Sequence, residues 1–187
     1  DRALQAGDPP PSGLSAEERR AYEQLERTFK QVEYALYMAA RPQTLYGIAD
    51  SPVGLAAWFL DHDISSYRMI ARAFDGGDEG MSRDDVLDNV SVYWFTNTAV
   101  SSGRLYWDNR QTAKSGFFDV KNVTIPVAVS AFPDELYQAP RSWAERAYPK
   151  LIHYNRHEKG GHFAAWEQPA AFTADLRAAF RSLRTRS

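Results

Sequence analysis

One histidine is flanked by glycine and aromatic residues: His162, in the run Arg156-His157-Glu158-Lys159-Gly160-Gly161-His162-Phe163-Ala164-Ala165-Trp166-Glu167-Gln168-Pro169. Histidine is the side chain best suited to moving a proton near neutral pH. The run follows a strand-like segment, Leu151 to Tyr154, and precedes an apolar-periodic helix. Regular elements on both sides can fix the backbone while the loop aims the imidazole into a cleft, which makes His162 a candidate general base. Glu135 lies just beyond an earlier strand-like segment. If the two strands are parallel, Glu135 and His162 reach the same edge of the sheet, where a carboxylate can hold the tautomer of the imidazole and stabilise its protonated form. Such a pair activates water. The competing reading makes Glu135 a solvated loop carboxylate and His162 a capping residue, and the neighbouring Asp134 is a rival for the acid.

Other chemistries fit the spacing poorly. His153, His157, Glu158 and His162 are close in sequence, but a zinc protease needs His-Glu-x-x-His on one helical face. Here the second histidine comes one position late, and Gly160-Gly161 would break the helix. No metal is expected, and His153 and His157 read as strand or surface residues. There is no Gly-x-Ser-x-Gly elbow for a serine nucleophile. Gly76-Gly77 and Gly160-Gly161 are too isolated to cradle a phosphate, so no nucleotide cofactor is expected.

The elements that must position these residues divide into two kinds. Residues 1–14, with Pro9-Pro10-Pro11 and Gly13, lack periodicity and read as a linker or loop. Ser15 and Glu18 have capping-box spacing, and Tyr22, Leu25, Phe29, Val32 and Leu36 recur at helical steps, predicting one helix as far as Ala40, ended by Pro42. Ser51-Pro52 predicts a cap and first turn ahead of Val53 to Leu60. Tyr67 to Phe74 forms a further helix closed by Asp75-Gly76-Gly77, with Asp75 to Gly80 as a surface loop. Ser82, followed by Asp84 and Asp85, caps another. Residues 15–118 are thus expected to be a helical region. Beyond it, from near Lys121, Val123, Ile125, Val127, Val129 and Ala131 alternate as a strand; a short helix spans Pro140 to Ala147, a second strand Lys150 to Tyr154, and Phe172, Leu176, Phe180 and Leu183 line one face of a last helix. Strand, helix, strand, helix implies a parallel α/β sheet, of which residues 119–187 are only a part, because two strands cannot make such a sheet alone.

Composition narrows the setting. The 187 residues are 44% hydrophobic and 13% aromatic, ample for a packed core. A net charge of -2 from 22 basic and 24 acidic residues leaves no basic stripe for nucleic acid or anionic lipid. The chain has no cysteine, which excludes disulfides, thiolate metal sites and a cysteine nucleophile and suits a cytoplasmic enzyme. No run of about 18 apolar residues predicts a membrane span. Lysine is scarce beside abundant arginine and alanine, which points to a GC-rich bacterial source. The chain opens at Asp1 directly into a polar, proline-rich stretch, and reads as cut from something longer.

Several further runs carry a resemblance. Arg41-Pro42-Gln43-Thr44 with Asp50-Ser51-Pro52-Val53-Gly54-Leu55-Ala56-Ala57-Trp58, then Ser101-Ser102-Gly103-Arg104-Leu105-Tyr106, then Phe132-Pro133-Asp134-Glu135, and finally Gly160-Gly161-His162-Phe163-Ala164-Ala165 resemble, in this order, the microsomal-type epoxide hydrolases of the α/β-hydrolase superfamily. The resemblance covers a mainly helical lid and the C-terminal portion of the catalytic sheet. It implies His162 as the general base, Glu135 as its acid partner, and Tyr106 as one of two lid tyrosines that hydrogen-bond the epoxide oxygen. The other would be Tyr34, seven residues before Arg41, with Tyr37 one helical turn on as its rival. Tyrosine suits that role because its hydroxyl, with an ordinary pKa of about 10, donates a proton without ionising first.

The family's nucleophilic aspartate lies in a Gly-x-Asp-Trp-Gly elbow, and its oxyanion hole includes a His-Gly-Trp-Pro run; neither occurs in the 187 residues. The resemblance therefore implies conversion of a small-molecule epoxide and water to a vicinal diol through an aspartyl ester. This chain would supply base, acid and lid tyrosines, and the missing N-terminal half of the catalytic domain the nucleophile; the 187 residues alone are expected to be inactive. The rivals are a non-catalytic remnant or binding module and an α/β-hydrolase acting on esters. Trp58, Tyr67, Trp94, Phe95 and Trp107 would suit an apolar or aromatic epoxide. Assembly as a homo-oligomer stays open.

Overall fold

A computed structural model describes residues 9–30, 33–61, 64–77, 80–112 and 123–184. Most of the predicted linker, residues 1–8, and the onset of the predicted first strand near Lys121 lie outside these residues. So do two positions of the predicted loop from Asp75 to Gly80. The chain forms two compact units, one of Asp1–Phe29 with Phe118–Ser187 and the other of Lys30–Phe117.

The expected helix from Ser15 to Ala40 is in fact two helices, α1 (Ala16–Phe29) and α2 (Glu33–Ala40). The capping box forms as the spacing predicts: the Glu18 N–H donates to Ser15 Oγ at 3.2 Å, and the Ser15 N–H to Glu18 Oε2 at 3.0 Å. The two helices serve different cores. Tyr22 and Leu25 of α1 pack with Tyr137 and Trp143, whereas Met38 of α2 packs with Leu45, Ile48 and Leu55. Although helical, α1 falls in the unit that carries the strands.

The helical unit continues from α2 through a 3-10 turn, Pro42–Leu45, to α3 (Tyr46–Asp50), α4 (Pro52–Leu60), α5 (Ile64–Phe74), α6 (Arg83–Phe95), α7 (Ala99–Ser102) and α8 (Arg104–Thr112). Ser51 caps α4 by accepting from the Gly54 N–H at 3.1 Å, with Pro52 in the first turn. Ser82 and Asp85 close a capping box on α6, and Gly76 ends α5 at φ 87°. Leu45 and Leu55 are fully buried, each contributing about 2 kcal/mol of apolar transfer. Among the described residues no helix is long and apolar enough to cross a membrane.

The other unit holds β1 (Val127–Ala131), α9 (Arg141–Ala147), β2 (Leu151–Arg156), α10 (Ala164–Glu167), α11 (Pro169–Ala179) and α12 (Arg181–Arg184). The strands pair in parallel, Ala131 opposite Arg156, as the strand–helix–strand order predicts. Two boundaries differ from expectation. The strand begins at Val127 and not near Val123, because Pro126 has no N–H to give to a ladder; the first such donor is Val127, to the Lys150 carbonyl at 3.0 Å. The last helix is interrupted at Phe180, whose ψ of 10° leaves the α-helical range.

Candidate active site

The parallel pairing runs past the ends of β1 and β2. Beyond Ala131 and Arg156 the chains meet again in a single parallel bridge, Asp134 with Gly161, in which the Asp134 N–H donates to the Gly160 carbonyl at 3.1 Å. The next residue on each side is Glu135 and His162. The bridge thus converts two strand ends into a fixed side-chain pair: His162 Nδ1 lies 2.7 Å from Glu135 Oε1, and each side chain is one-third exposed. An ionised carboxylate only accepts, so Nδ1–H is the donor. The Leu136 N–H also donates to Glu135 Oε1, at 2.7 Å, which limits the carboxylate's rotation. Asp134, the rival acid, spends its backbone on the bridge.

Both glycines are required by this geometry. Gly160 has φ 108°, and a Cβ there would meet the Phe132 ring at 2.8 Å. A Cβ on Gly161 would stand 2.9 Å from the Asp134 carbonyl oxygen, inside van der Waals contact.

The loop bearing Glu135 rests on α1. Thr28 Oγ1 donates to the Leu136 carbonyl at 2.8 Å, and the Gln138 N–H to Gln24 Oε1 at 3.0 Å. Glu18 accepts from Ser142 Oγ at 2.8 Å and Arg146 at 2.9 Å, and these bonds hold its carboxyl below the ordinary range together with the backbone hydrogen bond from Ser15, the largest cause. Gln24 and Thr28 were not singled out in the sequence, since a polar residue on a helix gives no sign of a partner more than a hundred positions away.

Below the strand ends is a polar cluster centred on Asp175 of α11, 6% exposed. Its carboxylate accepts from Ser130 Oγ, and lies 2.7 Å from His153 Nε2, 3.0 Å from Asn155 Nδ2 and 3.2 Å from His157 Nε2. Burial pushes this carboxyl up, but the four hydrogen bonds outweigh it and hold it at about 2. His157 also stacks on Phe132, ring centroids 4.2 Å apart. His153 lies on β2, as a strand residue is expected to, whereas His157 is just past the strand and is not a surface residue; both are half-buried and tied to Asp175. A charge at Asp175, three residues after Phe172 and four before the buried Ala179, was the available signal.

Glu167 went unremarked in the sequence as well. Its carboxylate accepts from the N–H groups of Gly161, at 2.8 Å, and Phe163, at 2.9 Å. The spacing of four between Phe163 and Glu167 would have pointed to it.

In the helical unit, Tyr34 on α2 and Tyr106 on α8 come together edge to face, ring centroids 6.0 Å apart, both against the core. Gly103, just before α8, lies close against that core: a Cβ there would lie 2.6 Å from Leu45 Cδ1 and 3.5 Å from Met38 Cγ. Tyr37 is 51% exposed and is not part of that core.

No family model matches the chain. It is similar to a Stigmatella aurantiaca protein that carries the epoxide hydrolase name, 44% identical over 95% of this chain and 39% of that protein. It is 36% identical to epoxide hydrolase 1 of Sus scrofa, over 77% of this chain and 33% of that protein. Among solved structures, Aspergillus niger epoxide hydrolase superposes with a TM-score of 0.67 and 26% identity, over 93% of this chain and 42% of that chain. The juvenile hormone epoxide hydrolase of the silkworm Bombyx mori gives a TM-score of 0.66 at 27% identity, over 86% of this chain and 42% of that chain. The chain thus spans from one-third to about two-fifths of the length of these relatives. The fold is that part of an α/β-hydrolase which comprises a mainly helical lid and the C-terminal portion of the sheet.

Proposed function

Because the chain is a homologue of the epoxide hydrolases over the part it spans, we propose that it supplies the base, the orienting acid and the epoxide-activating tyrosines of an enzyme that hydrates an epoxide to a vicinal diol. The observation that carries this reading is the Glu135–His162 pair, 2.7 Å apart beyond two parallel strand ends. The family resemblance assigns the nucleophile to an aspartate in the part of the relatives that this chain does not span.

In the first step a carboxylate oxygen attacks an epoxide carbon. The ring C–O bond breaks, and the departing oxygen takes a proton from a tyrosine hydroxyl, leaving a hydroxyalkyl ester. Tyr34 and Tyr106 are the proposed donors; their edge-to-face pairing at 6.0 Å supports Tyr34 over the exposed Tyr37. In the second step His162 Nε2 takes a proton from water while Nδ1–H stays on Glu135, which stabilises the imidazolium. The oxygen of that water adds to the ester carbonyl and the ester C–O bond breaks; the leaving alkoxide takes the proton from the His162 imidazolium to give the diol, and the proton left on the nucleophile's carboxyl returns to the tyrosinate. Paired tyrosines favour this chemistry over ester hydrolysis, whose leaving group does not need two such donors. The lack of cysteine and the arginine-rich composition support a bacterial cytoplasm as its setting.

The test uses the protein that contains this chain together with its nucleophile. His162→Gln, given an epoxide, should accumulate an adduct heavier by the mass of the epoxide while diol formation stops. Continued diol production without an adduct would remove His162 from the role of base.

A further inference from the structure

We infer that Glu167 is a positioning residue that sets the aim of His162 by holding the backbone on both sides of it. The inference rests on the reading of His162 as the water-activating base. The carboxylate of Glu167 spans the loop, Oε2 on the Gly161 N–H at 2.8 Å and Oε1 on the Phe163 N–H at 2.9 Å. Each bond is charge-assisted; one holds the peptide that joins His162 to Phe163, and the other the peptide that enters Gly161, one residue before the His162 Cα. The Glu167 backbone closes the clamp from the other direction, its N–H donating to the Phe163 carbonyl at 2.9 Å.

On the incoming side, Gly161 is pinned by its bridge to Asp134, but on the outgoing side Phe163 precedes a helix of only four residues, too short to be rigid alone. Glu135 orients the imidazole ring about its own bonds, while the Cα from which the ring projects is held by Glu167. A small displacement there moves Nε2 away from the line of attack on an ester carbonyl, and such misplacement costs orders of magnitude in rate. The effect should fall on the second step, because the first step does not use the histidine.

The variants are Glu167→Gln, whose amide offers one acceptor where two N–H groups need one each, and Glu167→Ala, with circular dichroism to confirm folding. In single-turnover reactions of the intact enzyme, ester formation should proceed at the wild-type rate and ester hydrolysis should slow about tenfold to hundredfold, more in Ala than in Gln. In the steady state kcat and KM should fall together, leaving kcat/KM near wild type. A merely structural role would reduce both steps in proportion, and that result, or wild-type hydrolysis in both variants, overturns the inference. A second readout needs no substrate: the Nδ1–H proton resonance of His162, identified by its loss in His162→Gln, should shift or broaden in Glu167→Ala. An unchanged resonance also overturns the inference. If no ester forms even in His162→Gln but the resonance does respond, the proposed function fails and the clamp stands.

Discussion

Replacing Asp175 tests whether the strand ends are held by a buried charge. Its folded-state value of about 2 lies below the ordinary 3.8 of an aspartate, so the native state favours the ionised form. The difference of about 1.8 (3.8 less about 2) corresponds to about 2–3 kcal/mol at roughly 1.4 kcal/mol for each unit. A depressed carboxyl adds stability above its unfolded value and loses it as the pH falls through the folded one. The contribution should be complete above about pH 5, roughly half gone by pH 3 and nearly absent at pH 2. Asp175→Asn keeps the volume but removes the charge, and its amide brings a donor to a place where Ser130, His153, Asn155 and His157 supply the donors. The loss at pH 7 should be about 2 kcal/mol, and about 3 kcal/mol or more for Asp175→Ala, which leaves several half-buried groups unpartnered. Urea unfolding of wild type and Asp175→Asn from pH 7 to pH 2.5 measures it. The gap between the two curves should narrow by most of its size on acidification. A gap below about 0.5 kcal/mol at pH 7, or one that does not change with pH, would refute the argument.

Two further outcomes follow from close approaches. Gly161→Ala should open the Asp134 bridge, since the Cβ would meet a backbone oxygen at 2.9 Å; we expect about 1–3 kcal/mol of lost stability and loss of the His162 Nδ1–H resonance, measured by thermal unfolding and NMR. An unshifted melting temperature would show that the strand ends can part without cost. In single-turnover ester formation, Tyr34→Phe and Tyr106→Phe should each slow the step about tenfold to hundredfold, with Tyr37→Phe within about twofold of wild type; the reverse order would move the role to Tyr37.

Local signals in the sequence translate directly into structure where they are complete within one turn. The Ser15–Glu18 box, the Ser82 cap, the Ser51-Pro52 start of α4 and the alternation in β1 are patterns among neighbours along the chain. The pairing of His162 with Glu135 was legible for a different reason: two parallel strands put the residues after their ends on one edge whatever else the fold does. The break between α1 and α2 was not legible, because the apolar recurrence of Tyr22, Leu25 and Phe29 continues in phase to Leu36. Periodicity records that a face is buried, not which core buries it. The expected extra strand residues before Val127 failed on one atom, the hydrogen that Pro126 lacks.

Glu167 and Asp175 escaped for the same physical reason as each other. A carboxylate in sequence looks solvated, and only its partners reveal whether it is working. In the structure three carboxylates bear on one histidine at three levels: Glu135 on the ring, Glu167 on the flanking peptides, and Asp175 on the strands that deliver both loops. The consequences of losing each differ accordingly. Without Glu135 the protonated imidazole loses its stabilisation, so the chemistry itself suffers. Without Glu167 the same imidazole is chemically intact, and the clamp we infer predicts that it is wrongly aimed, so that ester hydrolysis alone slows. Without Asp175 the spacing of β1 and β2 near their ends relaxes, and stability falls before any single rate does. On the proposed reading of His162 as the water-activating base, all three restraints serve one end, since a loop that frees either the ring or the backbone lowers the fraction of time spent in line for attack.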